Sequence, residues 1–158
     1  TALTAQNTTG VRAAEPVAAE MVRAQLDAVL DDLEVRAVKR GMLATSELVA
    51  LVAGALAARQ AAPLVCDPVM VAKSGDSLLA ADAVDAVRQR LIPLATLLTP
   101  NTHEAGVLTG MPVRTLQEAA EAGRALRAMG ASSVLVKGGH VEGDAHGSAT
   151  VRTDVGSD

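Results

Sequence analysis

Aromatic residues are absent from this sequence, since none of its 158 residues is Phe, Tyr or Trp. A chain without aromatic rings offers no platform on which bases could stack, which argues against binding of single-stranded nucleic acid. Basic clusters are absent as well, and the formal net charge is −4 at pH 7, so a phosphate-backbone partner is not expected. Hydrophobic residues nevertheless make up 49% of the chain, so Ala, Val, Leu and Met must build the core.

Cysteine is nearly absent too, because Cys66 is the only one in the sequence. This count excludes a disulfide framework and fits a protein of the reducing cytoplasm. No apolar run approaches the roughly 18 residues of a membrane span and no signal peptide is recognisable, so neither a membrane nor secretion is expected. The sequence opens with Thr1 inside a strand-like stretch and without an initiator Met, so we expect further residues upstream.

Strand-like and helix-like segments alternate along the chain. Strands are predicted at residues 1–5, 35–39, 64–67, 94–99, 133–137 and 149–153, with a loop at 8–15. Helices are predicted from Pro16 to Leu33 and at residues 46–60, 81–91, 101–108 and 115–129. Such alternation is typical of a parallel sheet with right-handed crossovers and helices on both faces. The predicted fold is therefore α/β, a three-layer αβα arrangement with a mostly parallel central sheet.

Polar residues follow each predicted strand. In chain order the strand ends carry Gln6-Asn7, Lys39 with Gly41-Met42, Asp67, Thr99-Pro100-Asn101 with Glu104, and Lys137-Gly138-Gly139. Because the carboxyl ends of parallel strands lie along one edge of a sheet, two carboxylates and a lysine should meet there. Mg²⁺ binds one or two carboxylates together with phosphate oxygens, so the set favours a magnesium–phosphate ligand.

Each of these residues also has an ordinary structural explanation. Asn101 and Glu104 have the spacing of a helix capping box, and taken alone they favour a cap over a ligand site. Asp67 could be a turn residue before proline, and Lys137 could be solvated. Cys66 is predicted to be a small core residue. The three histidines lack metal-ligand spacing and are interpreted as surface or loop residues: His103, His140 and His146.

Five stretches together resemble a known family. They are DPVMVAKSG (67–75), LTPNTHE (98–104), VKGGH (136–140), TALTAQNT (1–8) and KRGML (39–43). In their order along the chain they closely resemble bacterial hydroxymethylpyrimidine/phosphomethylpyrimidine kinases, which are thiamine-pathway enzymes of the ribokinase-like superfamily. The resemblance covers nearly the whole chain. It implies a ribokinase-like fold and the use of ATP and Mg²⁺.

The resemblance also implies roles for particular residues on the substrate side. Gln6 would hydrogen-bond the aminopyrimidine, and Met42 and Val69 would form apolar walls of the same pocket. The implied reaction is ATP-dependent phosphorylation of 4-amino-5-hydroxymethyl-2-methylpyrimidine and then of its monophosphate. Two alternatives stay open: a pyridoxal kinase, since such enzymes share an Asp-Pro-Val-Met stretch, and a truncated, non-catalytic pyrimidine-binding module. A homodimer is a further option.

On the nucleotide side the resemblance implies a second group of residues. Asp67 and Glu104 would act around Mg²⁺ and the ATP phosphates, through water. Asn101 would hold the network on the phosphate side, and Lys137 with Gly138 would lie beside the nucleotide phosphates. The loop at 71–77 is predicted to close over bound ligands as a lid.

The sequence departs from the family pattern in two ways. Arg40 stands where the family usually has an apolar residue, and it is expected either to disturb strand packing or to extend outward to solvent. The family's opening glycine-rich strand and its C-terminal Gly-Thr-Gly-Cys turn are both missing. Residues 1–158 are therefore interpreted as one kinase domain, incomplete at both ends, with the catalytic base expected beyond Asp158.

Overall fold

The computed structural model describes residues 1–59, 62–70 and 81–138, and the backbone of residues 149–152. Its strands are β1 (Ala2–Asn7), β2 (Gly10–Pro16), β3 (Val38–Arg40), β4 (Leu64–Cys66), β5 (Leu97–Leu98), β6 (Ser133–Val136) and β7 (Ala149–Arg152). Its α-helices are α1 (Ala19–Leu30), α2 (Ser46–Ala58), α3 (Ala81–Ala86), α4 (Thr102–Thr109) and α5 (Leu116–Ala128). Helix α3 continues into a π-helical turn (Val87–Leu91) and a 3₁₀ turn (Ile92–Leu94).

The central sheet has five strands in the spatial order β3-β4-β5-β6-β7. The first four are parallel, whereas β7 is antiparallel to β6. The register pairs Arg40 with Cys66, Cys66 with Leu98, and Leu98 with Val134. The predicted α/β class and the mostly parallel central sheet are confirmed.

The two faces of this sheet are buried to different extents. Leu64, Cys66, Leu98, Val134 and Val136 belong to the same buried core as the apolar side chains of the helices. Their neighbours along the strands are only half-buried: Val65, Leu97 and Leu135. A short apolar run between two helix-like segments predicts a strand buried on both faces, but β4 is fully buried on one face only.

The helices begin and end at residues whose side chains or backbones suit those positions. Thr115 caps α5 in a capping box with Glu118, as predicted from their spacing. Helix α4 ends at Gly110, whose φ of 73° lies in the left-handed region that glycine tolerates. Arg88, in the π-helical turn, donates to the carbonyl of Leu108 and so ties that turn to the end of α4.

The amino-terminal residues contradict the predicted topology. Residues 1–5 were expected to be a strand of the parallel sheet and residues 8–15 a loop. Instead β1 and β2 form a separate antiparallel hairpin. The Asn7 side chain accepts hydrogen bonds from the backbone N–H groups of Thr9 and Gly10, which closes the connecting turn and directs the chain back along β1.

Several predicted boundaries also shift. The first long helix begins at Ala19 instead of Pro16, because β2 extends through Pro16. The strand predicted at 35–39 is Val38–Arg40, and the one predicted at 94–99 shortens to Leu97–Leu98 after the 3₁₀ turn. The predicted lid at 71–77 lies outside the described residues. Within the described part of the chain, no helix has the length and apolar character needed to cross a bilayer.

Candidate active site at the carboxyl edge of the sheet

Three neighbouring strands of the sheet deliver polar side chains to one edge. Asp67 directly follows β4, Asn101 follows β5, and Lys137 directly follows β6. The parallel pairing continues past the strand ends, because the Lys137 N–H donates to the Pro100 carbonyl at 2.7 Å and Lys137 bridges to Asn101. Residues distant in sequence are therefore held side by side, as the strand-end pattern predicted.

The closest charged contact at this edge joins Lys137 to Asp67. The Lys137 Nζ donates to Asp67 Oδ1 at 3.0 Å, across 70 residues of sequence. The two side chains remain 41% and 26% exposed, so the ion pair is open to solvent on one side. An ion pair of this exposure contributes little to stability, so exchanging it for contacts to a ligand would cost the fold little.

Asn101 and Glu104 form the capping box that their spacing predicted. The Glu104 N–H donates to Asn101 Oδ1 at 2.8 Å, and the Asn101 N–H donates to Glu104 Oε2 at 2.8 Å. Unlike most capping glutamates, Glu104 is buried, with only 3% of its surface exposed. The structural explanation of this pair is therefore confirmed, and a ligand role would come in addition to it.

Burial raises the pKa of Glu104 above its ordinary value. Backbone N–H groups of Asn101 and Met70 and the charge of Lys137 oppose this shift, whereas the charge of Asp67 reinforces it. The two carboxylates and the lysine thus belong to one electrostatic cluster. A cation brought to that cluster would favour the ionised form of Glu104, because opposite charge lowers a carboxyl pKa.

The donor set at this edge fits a magnesium ion carried by a phosphate ligand. Carboxylate oxygens are hard donors, and Mg²⁺ characteristically keeps several waters while one or two carboxylates and the phosphates complete its shell. Asp67 is partly exposed, and its charge acts on the buried carboxyl group of Glu104. No group of three or more His, Cys, Asp or Glu residues suited to a metal occurs among the described residues.

The apolar candidates Met42 and Val69 lie at the same edge of the sheet. Met42 follows β3 by two residues and Val69 follows β4 by three, and both are half-buried. A 2.8 Å hydrogen bond from the Val69 N–H to the Asp67 carbonyl folds the chain back immediately after the strand. The structure therefore brings two predicted pocket walls next to the predicted acid.

Gln6 belongs to a different sheet from the strands that carry these residues. It is exposed on β1, which belongs to the hairpin and not to the central sheet, so the prediction that Gln6-Asn7 ends a strand of that sheet is wrong. The beginning of the hairpin does approach the site, since Thr1 and Ala2 line a cavity of about 440 Å³ together with Gly41 and Met42. The role of Gln6 toward a pyrimidine stays a prediction.

Arg40 is a residue of this edge whose contacts the sequence did not reveal. Its surface is only 6% exposed, so the prediction that it extends to solvent is wrong. The Nε donates to the Sγ of Cys66 at 3.1 Å, and Nη1 donates to the carbonyl of Gly41. Cys66 is fully buried, as predicted, and burial raises the pKa of its thiol. A charged residue at the end of a short apolar strand was the signal available in the sequence.

Of the remaining candidates, Gly138 is half-buried beside Lys137, and His103 is exposed as predicted. His140 and His146 lie outside the described residues.

The fold and this edge define a class: α/β kinases of the ribokinase-like type, to which the solved structures of similar shape belong. A family model described as phosphomethylpyrimidine kinase matches residues 1–156, and the chain belongs to that family.

Individual relatives agree with this assignment. A hydroxymethylpyrimidine/phosphomethylpyrimidine kinase of Rhizobium meliloti is 51% identical over 144 residues, covering 90% of this chain and 54% of the relative. The crystal structure of phosphomethylpyrimidine kinase from Clostridium difficile superposes with a TM-score of 0.87 at 36% identity, covering 98% of this chain and 66% of that one. An ADP complex of pyridoxal kinase from Bacillus subtilis gives a TM-score of 0.80 at 31% identity, covering 96% and 61%. The chain spans about half the length of the curated relatives it matches.

Proposed function

We propose that the full-length polypeptide transfers the terminal phosphoryl group of ATP to 4-amino-5-hydroxymethyl-2-methylpyrimidine and then to its monophosphate. The observation that carries the proposal is the cluster of Asp67, Glu104 and Lys137 at the carboxyl edge of the sheet. Phosphoryl transfer depends chiefly on positioning and on stabilising the charge of the phosphates, and this cluster supplies charges of both signs for that purpose. The relatives named as kinases of this pyrimidine support the choice of substrate.

On the nucleotide side, each residue of the cluster has a distinct task in this proposal. Lys137 would leave Asp67 partly to contact a phosphate oxygen, offsetting negative charge where it develops. Asp67 and Glu104 would hold Mg²⁺ through water, and the ion when bound would neutralise charge on the transferring phosphate. Asn101 keeps Glu104 in place through the capping box.

On the substrate side, Met42 and Val69 would form the apolar walls that receive the pyrimidine ring. Gln6 would reach the exocyclic amine from the hairpin, which requires the hairpin to bend toward the edge of the sheet. The chain spans about half the length of the curated relatives it matches, and we propose that the base that removes the hydroxyl proton lies in the remainder of the full-length polypeptide.

A pyridoxal kinase is the second candidate, supported by the structural likeness to the Bacillus subtilis enzyme at 31% identity. The higher identity to pyrimidine kinases, 51% for the Rhizobium meliloti protein, favours the first candidate. A non-catalytic pyrimidine-binding module is the third, and it would apply to the 158 residues taken alone. We propose that the protein is cytoplasmic and forms a homodimer, and the large apolar side chains of Leu3, Met21 and Val29 are individually exposed.

Enzyme turnover of the full-length polypeptide tests the proposal. ADP formation is measured with Mg–ATP and either the hydroxymethylpyrimidine or pyridoxal as acceptor. The proposal expects faster turnover with the pyrimidine, and faster turnover with pyridoxal would favour the second candidate. Calorimetry of the 158-residue chain with the pyrimidine and with Mg–ATP tests the module, which would bind the pyrimidine without turning it over.

A further inference from the structure

Arg40 occupies an unusual position between two strand ends of the candidate site. It is the last residue of β3 and pairs in register with Cys66, the last residue of β4. Gly41 and Met42 follow β3, and Asp67 follows β4. A buried guanidinium at this point costs desolvation energy, so its contacts need an explanation.

The contacts of Arg40 reach across both strand ends. Its Nε donates to Cys66 Sγ at 3.1 Å, and Nη1 donates to the carbonyl of Gly41. Its own backbone carbonyl accepts the N–H of Asp67 at 3.0 Å. The guanidinium thereby holds the carbonyl that precedes Met42 and contacts Cys66, the residue before the Asp67 turn. The backbone carbonyl that accepts the Asp67 N–H would be supplied by any residue at this position.

The contacts leave one donor without a partner. Within the described part of the chain, Nη2 of Arg40 is buried and makes no hydrogen bond. Leaving a buried donor unpaired destabilises the folded state, so packing alone would favour an apolar side chain here. Arg40 is therefore better explained by what its two bonded nitrogens hold than by a contribution to stability.

We propose that Arg40 is a positioning residue, which fixes Met42 and the Asp67 turn in the arrangement that receives the acceptor substrate by bridging Cys66 and Gly41. This inference rests on the proposed function, because the substrate side of the site comprises Met42 and Val69. Arg40 itself touches no reacting atom in this proposal. Its thiol partner serves as a neutral acceptor, for which serine is a chemical substitute and valine is not.

A double-mutant cycle in the full-length polypeptide tests the proposal. The variants are Arg40→Met, Cys66→Val and their combination, with Cys66→Ser as the conservative rescue. Arg59→Met is the matched control, because Arg59 pairs with Asp27 and Asp31, which lie outside the candidate site. Calorimetric Kd values for the hydroxymethylpyrimidine are measured beside the melting temperature of each variant.

We expect Arg40→Met and Cys66→Val each to weaken pyrimidine binding by roughly 3- to 10-fold, and the double variant by no more than either, because contacting residues are not additive. Cys66→Ser and Arg59→Met should bind as the wild type does. The melting temperature of Arg40→Met should stay equal or rise. Unchanged pyrimidine binding in Arg40→Met, or fully additive losses in the double variant, would overturn the proposal.

A second readout separates this proposal from the proposed function. If the wild type binds no pyrimidine, the substrate assignment has failed, and the positioning of Met42 is then judged without ligand. The ¹³C-methyl NMR signal of Met42 and the hydrogen exchange of the Asp67 amide report it directly. Exchange that is faster in Arg40→Met and Cys66→Val but not in Cys66→Ser supports the bridge, and equal exchange in all of them overturns it.

Discussion

Two capping boxes in the described part of the chain permit a matched comparison of the same chemistry in two environments. Glu104 caps α4 at the candidate site and is buried, whereas Glu118 caps α5 away from it. Burial raises the pKa of Glu104, whereas hydrogen bonds from the backbone N–H groups of Arg114 and Thr115 lower the pKa of Glu118. Replacing each glutamate by glutamine should therefore change the free energy of unfolding with opposite pH dependences.

The magnitude for Glu104 depends on which replacement is made. Glutamine keeps an amide oxygen that accepts the Asn101 N–H, so Glu104→Gln should leave the cap nearly intact. Glu104→Ala removes that acceptor, which costs about 0.5–2 kcal/mol by analogy with other lost caps. For a domain of this size the loss corresponds to a fall in melting temperature of roughly 1–8 °C.

The sign of the pH dependence follows from the direction of each shift. The stabilising contribution of Glu104 is complete below the unfolded carboxyl pKa of about 4.3 and is lost as the pH rises through its raised folded pKa. Stability of Glu104→Gln relative to the wild type should therefore increase from acid to neutral pH. Glu118 contributes above about 4.3 and loses its contribution as the pH falls through its lowered folded pKa, so Glu118→Gln should be relatively less stable at neutral pH.

Thermal unfolding across this pH range, combined with turnover, decides the question. In the full-length polypeptide, Glu104→Gln should lower turnover by one to three orders of magnitude, roughly the range for losing one electrostatic stabiliser. Glu118→Gln should leave turnover unchanged. If the two variants shift stability with the same sign, the electrostatic argument is refuted. If Glu104→Gln is fully active, the residue is a helix cap alone.

Three further changes probe separate features. Lys137→Gln breaks the partly exposed ion pair with Asp67, so the free energy of unfolding should change by less than about 1 kcal/mol. The Kd for Mg–ATP, measured by calorimetry, should rise. Gly130→Ala places a Cβ 3.0 Å from the Cα of Pro93 at a φ of +116°, and urea unfolding should show a loss of more than about 1 kcal/mol; wild-type stability would contradict the contact. Asn101→Ala removes the acceptor of the Glu104 N–H, and a loss of about 0.5–2 kcal/mol is expected in the same assay.

The convergence of Asp67, Asn101 and Lys137 could be predicted because it depends on local patterns. Each residue follows a short apolar run, and strands alternate with helices, so a parallel sheet places the three at one edge. The capping boxes could be predicted for the same reason, since residues three apart suffice to specify them. What was needed in these cases was the order of the elements and not their detailed packing.

The hairpin and Arg40 depend on pairing between residues, which the sequence does not display. Residues 8–15 are mostly exposed, and nothing in their composition distinguishes a loop from a strand that pairs with β1. Arg40 was expected either to disturb strand packing or to extend outward to solvent. Its burial depends on the register that places Cys66 and the Gly41 carbonyl beside its guanidinium, and a register shift of one residue would reverse its face.

The most direct test of the central claim is the effect of Asp67→Asn on the full-length polypeptide. Turnover of the hydroxymethylpyrimidine is measured at saturating Mg–ATP, with calorimetric binding of the pyrimidine measured beside it. The account predicts that turnover falls by roughly 10- to 1,000-fold, as for loss of one charged stabiliser, while pyrimidine binding changes little. Full turnover in Asp67→Asn would contradict the assignment of the nucleotide site to this edge of the sheet.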